Sequence, residues 1–359
     1  MIMRQHIKKF LFPHLRTFTK NPSLLTTATS QHRLYASSTN SISHDPTEFS
    51  EKKTTTTQER PNVPVPFLVF NRDMKTRQRS RAAIDKEASR QVDYLKDEVA
   101  QRIVDRILDV KRDFSTIVDL GSGCGHIAKF LDENVCKRLI MCDMSDVALN
   151  RHADQEYEVE IERKVVDEEL LPFEENSLEA VVSNLSLHWV NDLPGTFIQI
   201  RRSLKPDGVF IAALFGGETL FETSLQLAES EREGGISPRV SPMTDVRDLG
   251  SLLSRADFTL TTIDIDEIVV NYPSAFELML DLRAMGESNA VINRRPFLKR
   301  DTLIASAAIY KEMYGNPEGT IPATFQIMYV IGWKPDVSQP KPKARGSAGV
   351  SLKEVLEKK

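Results

Sequence analysis

Between Thr116 and Ala128 the chain reads TIVDLGSGCGHIA, and the order of residue types there points to work on a small ligand. Thr116, Ile117, Val118 and Leu120 make a short apolar run suited to a buried strand, with Asp119 near its end. Gly121, Gly123 and Gly125 follow on alternate positions. Glycine there lets the backbone turn sharply and lets a ligand approach where a Cβ would stand in the way. Ile127, Ala128, Phe130 and Leu131 then begin a helical pattern, so the loop is expected to feed a helix N-terminus with free N–H groups and partial positive charge. A strand, a glycine loop and a helix in this order are a nucleotide-binding signature. The dinucleotide form would need glycine at 126, where the chain has His126.

The run as it stands, Asp-x-Gly-x-Gly-x-Gly, resembles the first motif of the class I S-adenosylmethionine methyltransferases, in which the acid faces the methionine amino group. The rest of the chain extends that reading. Arg138 to Cys142 is the second expected strand, and Asp143 ends it, 24 positions after Asp119. A carboxylate there is placed to accept both ribose hydroxyls of an adenosine. Arg163 to Val166 is expected as a third strand, ending in Asp167-Glu168-Glu169-Leu170-Leu171-Pro172-Phe173. A carboxylate in that run can accept from the adenine amino group while Leu and Pro flank the ring. The cofactor-binding set is therefore Asp119, Gly121, Ser122, Gly123, Gly125, Asp143, Met144, Asp167, Glu168 and Asn184. His188 and Trp189, just after the fourth strand, are substrate-side candidates.

These residues must be held by alternating strands and helices. Leu95, Val99, Ile103 and Ile107 recur every four residues, with Val104 and Leu108 widening the stripe, and predict an amphipathic helix packed on the sheet. Asp146 to Tyr157 reads as a helix, Leu178 to Asn184 as the fourth strand, Pro194 to Leu204 as a helix and Lys205 to Gly208 as a turn. Val209 to Leu214 is the fifth strand, Thr219 to Glu233 a helix and Val246 to Ala256 another. Leu260 to Val270 is the sixth strand, Pro273 to Tyr314 an unusually long helical excursion, and Phe325 to Trp333 the last strand. The expected fold class is α/β, a three-layer Rossmann-like class I methyltransferase fold. Its sheet has seven mostly parallel strands, the last antiparallel, and it carries helical insertions at about 216–242 and 273–315. Asn71 to Arg90 is polar and helix-compatible. Its cluster of Arg72, Arg77, Arg79 and Arg81 reads as a solvated face or, alternatively, a lip for an acidic partner or substrate.

The ends differ from the middle. From Met1 to His44 there is no Asp or Glu, while Arg4, Lys8, Lys9, Arg16, Lys20 and Arg33 are basic and Ser and Thr are dense from Thr17 onward. This is the composition of a mitochondrial transit peptide, with Arg33-Leu34-Tyr35 resembling the cleavage site, so 1–35 is expected to be removed. Those residues hold six basic and no acidic side chains, so their loss takes the formal net charge from −4 to −10. An acidic mature chain argues against nonspecific nucleic-acid binding. Residues 36–66 read as a flexible linker, 67–335 as the folded domain and 336–359 as a mobile tail. No apolar run reaches the roughly 18 residues that a membrane span needs. The three cysteines, Cys124, Cys136 and Cys142, form no CxxC pair and fit a reducing compartment.

Longer stretches resemble one family. They are Val69-Phe70-Asn71-Arg72-Asp73-Met74, Asn184 through Asp192, Asp281-Leu282-Arg283-Ala284-Met285-Gly286-Glu287-Ser288-Asn289-Ala290, Phe325 through Tyr329, and Ile331-Gly332-Trp333-Lys334. The chain is identified by them as a member of the mitochondrial complex I assembly factor 5 family. That fold is similar to the bacterial methyltransferase that esterifies malonyl carrier protein. The resemblance implies an arginine hydroxylase acting on an iron–sulfur subunit of complex I early in assembly, with S-adenosylmethionine as cofactor. It also implies work beside other complex I assembly factors in the mitochondrial matrix, peripheral on the inner membrane through partners. Two alternatives stay open: a S-adenosylmethionine-dependent methyltransferase acting on a protein or carrier-protein carboxyl, and a non-catalytic assembly chaperone.

The residues themselves speak for the cofactor and not for hydroxylation. Hydroxylating an unactivated carbon requires a redox cofactor. His152-Ala153-Asp154 has the H-x-D form of an iron triad, with His188 as a distal third ligand. Yet two positions apart on a helix sends His152 and Asp154 to different sides, so no metal site is assigned. No side chain identifies itself as catalytic.

Overall fold

The computed structural model describes residues 18–19, 68–223, 240–295 and 297–341. Seven long strands form one sheet: β2 (Phe114–Leu120), β3 (Cys136–Asp143), β4 (Glu160–Val165), β5 (Leu178–Asn184), β6 (Leu204–Phe215), β7 (Thr259–Tyr272) and β8 (Ile321–Trp333). A two-residue strand, β1 (Phe18–Thr19), pairs in parallel with Val270 and Asn271 at one edge. The order is β1-β7-β8-β6-β5-β2-β3-β4. Strands β2 to β6 run parallel, and β8 is antiparallel to both its neighbours, β6 and β7. The sequence order reverses between β2 and β5. Beyond the carboxyl ends of the strands at such a point lies the crevice in which open α/β sheets bind ligands.

The central strands are apolar on both faces because helices cover both. On one face lies α3 (Tyr94–Asp109), whose Leu95, Val99, Ile103, Val104 and Ile107 are all buried against the sheet. Each such side chain contributes roughly 1.5–3 kcal/mol on burial. The opposite face carries α5 (Leu193–Ser203) and α6 (Val246–Arg255), with Phe197, Ile200, Leu249 and Leu253 buried inward. The three-layer architecture and the antiparallel last strand are as the sequence implies.

Ahead of α3 come α1 (Arg72–Ile84) and α2 (Lys86–Arg90), capped by Asn71 and Asp85, whose side chains accept from the Met74 and Ala88 amides. Helix α1 lies across the ends of the strands, packed against α4 (Asp146–Leu149). Its Arg72, Lys75, Arg79 and Ala83 face inward and are buried, while Arg77 and Arg81 are exposed. The expected solvated face is thus half of the helix only.

Four further expectations are corrected. No long helix follows the glycine loop, only one 3-10 turn, Ile127–Lys129. The Asp132 carboxylate accepts from the amides of Asn134 and Val135 and turns the chain at once into β3. The helix from Asp146 stops at Leu149, where Asn150 Nδ2 donates to the Asp146 carbonyl and diverts the chain into turns. The excursion from Pro273 is two helices, α7 (Ala275–Ala284) and α8 (Arg300–Tyr314). Gly286, at φ +76°, ends the first, and the Glu287 amide returns to the Leu282 carbonyl at 2.8 Å. Residues 205–208, expected as a turn, lie within β6, where the pairing to β5 shifts register.

The start of the tail is packed. Gln339 donates to Asp207 Oδ1 at 3.0 Å and accepts from Thr259 Oγ1 at 2.8 Å. The helix expected at Thr219 gives turns over 219–222, and its continuation through Glu233 lies outside the described residues, as do the linker 36–66 and all of 1–35 apart from Phe18 and Thr19. Among the described residues no helix is long and apolar enough to cross a membrane.

Candidate functional site

Strand ends bring the candidate residues together. Asp119, next to last in β2, is fully buried, and neither carboxylate oxygen has a partner among the described residues. Burial, reinforced by the neighbouring Asp143, holds its pKa well above the ordinary carboxylate range. The loop that follows is held to β3, the Gly121 and Ser122 amides donating to the Cys142 carbonyl at 2.7 and 2.9 Å. Gly121 has φ +73°, and a Cβ there would stand 2.1 Å from Ser186 Oγ. Gly123, at φ +56°, has open space where a Cβ would be. Ser122 Oγ is buried without a partner.

Asp143 ends β3, fully buried. Its Oδ1 accepts from the Ser145 amide at 2.8 Å, and its Oδ2 from the Gly123 amide at 3.1 Å and Arg79 Nη1 at 3.0 Å. Glu168, past β4, is also fully buried and meets Arg79 Nη1 at 3.0 Å, Ser186 Oγ at 2.8 Å and Arg72 Nη2. Burial alone would raise the Glu168 carboxyl; Arg72 and Arg79 hold it down at about 2. Asp167 accepts from Arg72 Nη2 at 2.9 Å, and the same nitrogen lies 3.2 Å from Met144 Sδ. Asn184 ends β5, its Nδ2 donating to the Lys96 carbonyl at 2.9 Å while its Oδ1 is without a partner. The space left beside the glycine loop and Asp143 is about 40 Å³. That is room for a water or two.

A second cluster adjoins the first. Trp189 Nε1 donates to Glu287 Oε2 at 2.7 Å, and Lys75 Nζ lies 3.3 Å from the centre of the Trp189 ring. Lys75 Nζ also donates to the Gly286 carbonyl at 2.7 Å and lies 3.3 Å from Glu287 Oε2, while Lys96 Nζ is 2.9 Å from Glu287 Oε1. Burial depresses the Lys75 ammonium well below its ordinary value; Glu287 is held well below the carboxylate range by Lys75 and Lys96 against the pull of burial. His188 is buried 3.6 Å from Glu287 Oε2, and its ring meets that of Phe215 at 4.7 Å, tilted by 58°. Burial depresses it to about 4, so it is neutral at physiological pH. Beyond Trp189 and Glu287 opens a cavity of about 630 Å³, lined by Phe215, Leu278, Tyr310 and Phe325, with exposed Arg283 at its wall.

The structure therefore gathers Asp119, the glycines, Asp143, Met144, Asp167 and Glu168 in one place, and sets His188 and Trp189 beside them. It adds Arg72 and Arg79, expected on a solvated face or a substrate lip, and Lys75 and Glu287, to which the sequence reading gave no role. A signal was present, because Arg72, Lys75 and Arg79 recur at one-face helical spacing with Ala83.

His152 and Asp154 do not form a triad with His188. His152 Nδ1 faces Arg90 at 3.4 Å, burial and Arg151 depress it to about 4, and Asp154 lies exposed beside Lys86. Asp93, Asp97 and His126 do converge. There Lys129 Nζ lies 3.1 Å from Asp93 and 2.9 Å from Asp97, and Arg151 is 2.6 Å from Asp93, so protein cations already meet both carboxylates.

Comparison with known proteins follows the same lines. Residues 118–212 match the family model described as methyltransferase domain. A curated protein from Danio rerio named "Arginine-hydroxylase NDUFAF5, mitochondrial" is 53% identical over 286 residues, 79% of this chain and 88% of the relative. This chain belongs to the NDUFAF5 arginine-hydroxylase family. More distantly, the NDUFAF5-family chain is 32% identical over 258 residues to a malonyl-[acyl-carrier protein] O-methyltransferase of Halorhodospira halophila, covering 70% of this chain and 86% of the other. A solved structure titled as a putative methyltransferase of Bacillus halodurans aligns with TM-score 0.46 and 14% identity, over 64% of this chain and 98% of that one.

Proposed function

We propose that this protein is a mitochondrial protein-arginine hydroxylase that binds S-adenosylmethionine and modifies an iron–sulfur subunit of complex I during early assembly. The support for the activity is membership of a family whose curated members carry the arginine-hydroxylase name. The observation that carries the cofactor reading is Asp119: a buried acid with two unpartnered oxygens, two residues before a glycine bend, suits a cationic ligand group. The ammonium of S-adenosylmethionine supplies that cation. Asp143 would take the ribose hydroxyls, Asp167 or Glu168 the adenine amino group, and Ser122 and Asn184 the remaining polar edges. The residues fit the ligand's polar groups, while the present space, about 40 Å³, requires side chains to move first.

S-adenosylmethionine supplies an activated sulfonium when bound. The chain's own part is to bind, to orient and to exclude water. Phe215, Trp189 and Phe325 give the neighbouring cavity an aromatic wall against which a substrate side chain would be oriented, and His188, neutral and buried, brings no charge to it. Hydroxylation takes an oxidant as well. The convergent donors Asp93, Asp97 and His126 already have Lys129 and Arg151 as counter-ions.

A second reading, methyl transfer to a protein or carrier-protein carboxyl, is favoured by the 32% identity to the malonyl carrier-protein methyltransferase. Deleting the gene and weighing the intact iron–sulfur subunit and its peptides decides between them. Loss of one oxygen's mass from an arginine supports hydroxylation, loss of one methylene's mass supports methylation, and an unmodified subunit that fails to assemble sinks both enzymatic readings.

A further inference from the structure

We propose that α1 is a cationic plug: it fills the acid pocket with Arg79 and Arg72 in the ligand's absence, and its withdrawal both admits the adenosine ligand and uncovers Glu287 as the carboxylate that receives a substrate guanidinium. This rests on the S-adenosylmethionine reading above.

The geometry leaves little choice about the first half. Asp143 Oδ2, the oxygen nearest the glycine bend, is already committed to Gly123 and Arg79, and Glu168 to Arg79, Arg72 and Ser186. Small-molecule sites run to roughly 300–1,000 Å³, far above the space now present. The guanidiniums therefore stand where the nucleoside must go. Withdrawal leaves each acid a donor, because the ligand brings an ammonium to Asp119, hydroxyl donors to Asp143 and an amino group to Glu168, which also keeps Ser186 Oγ. Nor does it disturb the sheet, since α1 contributes no strand pairing. Its backbone ties lie at its entry, where Asn71 N donates to the Ala290 carbonyl and the Val69 and Phe70 amides donate to Asn191 Oδ1. The other end runs into exposed residues 84–88.

The second half follows from helix geometry. Arg72, Lys75 and Arg79 sit on one face of one rigid rod, within about 10 Å along its axis. They move together. Lys75 Nζ now covers Glu287 Oε2 and the Trp189 ring. Once it leaves, Glu287 keeps Lys96 on Oε1 and Trp189 Nε1 on Oε2, and Oε2 gains a free lone pair beside the 630 Å³ cavity. A carboxylate at the wall of an aromatic cavity selects a side chain with an apolar stem and a fork-shaped cationic end, which is arginine. Binding is thereby ordered: cofactor first, then the target arginine, and the target cannot compete for the acids meant for the cofactor.

Amide hydrogen exchange across residues 72–84 of the whole protein, with and without S-adenosylmethionine, tests the plug, alongside calorimetry on wild type and Arg79→Met. Expected are faster exchange in α1 at saturation and at least about tenfold tighter binding by the variant, since it removes a competing state. Slower exchange in α1, or weaker binding by a folded Arg79→Met, would make the helix a clamp on the ligand and overturn the plug. If Arg79→Met does not fold, the wild-type exchange decides alone. Wild type that stays folded and takes up no S-adenosylmethionine sinks the cofactor reading, and the plug with it. For the coupling, N-acetyl-arginine amide should bind at least about tenfold better with S-adenosylmethionine present, and Glu287→Gln should erase that gain. Equal binding with and without the cofactor refutes the ordering.

Discussion

The floor and the roof of the acid pocket are built by opposite means. Asp119, Asp143 and the glycine bend are held by sheet pairing and by backbone amides donating to the Cys142 carbonyl. The inner face of α1 is held by ion pairs of Arg72 and Arg79, and by Lys75 on a carbonyl, a carboxylate and an aromatic ring. A floor tied by a ladder keeps its shape whether or not a ligand is present. A roof tied by buried charges is strong only while every partner is in place, because each ion lost leaves another unpaired in a dry site.

That contrast can be broken by mutation. Glu287→Ala strips Lys75 and Lys96 of their common anion and should lower stability by about 3–5 kcal/mol, read by chemical denaturation; a loss under about 1 kcal/mol would mean the roof is not ionic. Gly121→Ala attacks the floor, putting a methyl on Ser186 at a left-handed backbone position, and should cost about 2–4 kcal/mol with the glycine-loop amides losing exchange protection. Asp119→Asn should do the reverse in the unliganded protein, raising the melting temperature by removing an uncompensated buried carboxylate, while weakening S-adenosylmethionine by about 1–3 kcal/mol in calorimetry. Unchanged affinity would refute the ammonium receptor.

The pH dependence separates the regions too. His188 and His152 titrate near 4 in the fold, below the ordinary histidine value, so both are neutral when folded and take up protons on unfolding. Their contribution is complete above about pH 6.5 and is lost as pH falls towards 4; melting temperature should drop across that window, and His188→Gln should flatten part of the drop. Glu168, held at about 2, adds a further loss only between roughly pH 4.5 and 2. The smallest effect belongs to Arg77→Ala on the outer face of α1, within about 0.5 kcal/mol and neutral for ligand binding.

Sequence alone revealed the floor and hid the roof. Strand β2, the three glycines and Asp143 are legible because a buried parallel strand is apolar throughout and a positive φ calls for glycine. The helical character of α1 was legible, but its buried face was not, because that stripe is charged and hydrophobic periodicity is blind to Arg72, Lys75 and Arg79. Glu287 stood in a stretch read as helix, and only the end of α7 at Gly286 turns it inward. The helices expected after Gly125 and beyond Leu149 failed for a local reason: Asp132 and Asn150 offer the backbone side-chain partners that compete with the helix.

Trp189 has one consequence of its own. The chain holds two tryptophans, and Trp333 lies at the far end of β8, 5.8 Å from Arg112. Trp189 alone carries an amine against its ring face. Its emission is thus a built-in optical gauge of where that amine stands, readable in unlabelled protein on the stopped-flow timescale, with the Trp189→Phe protein supplying the blank.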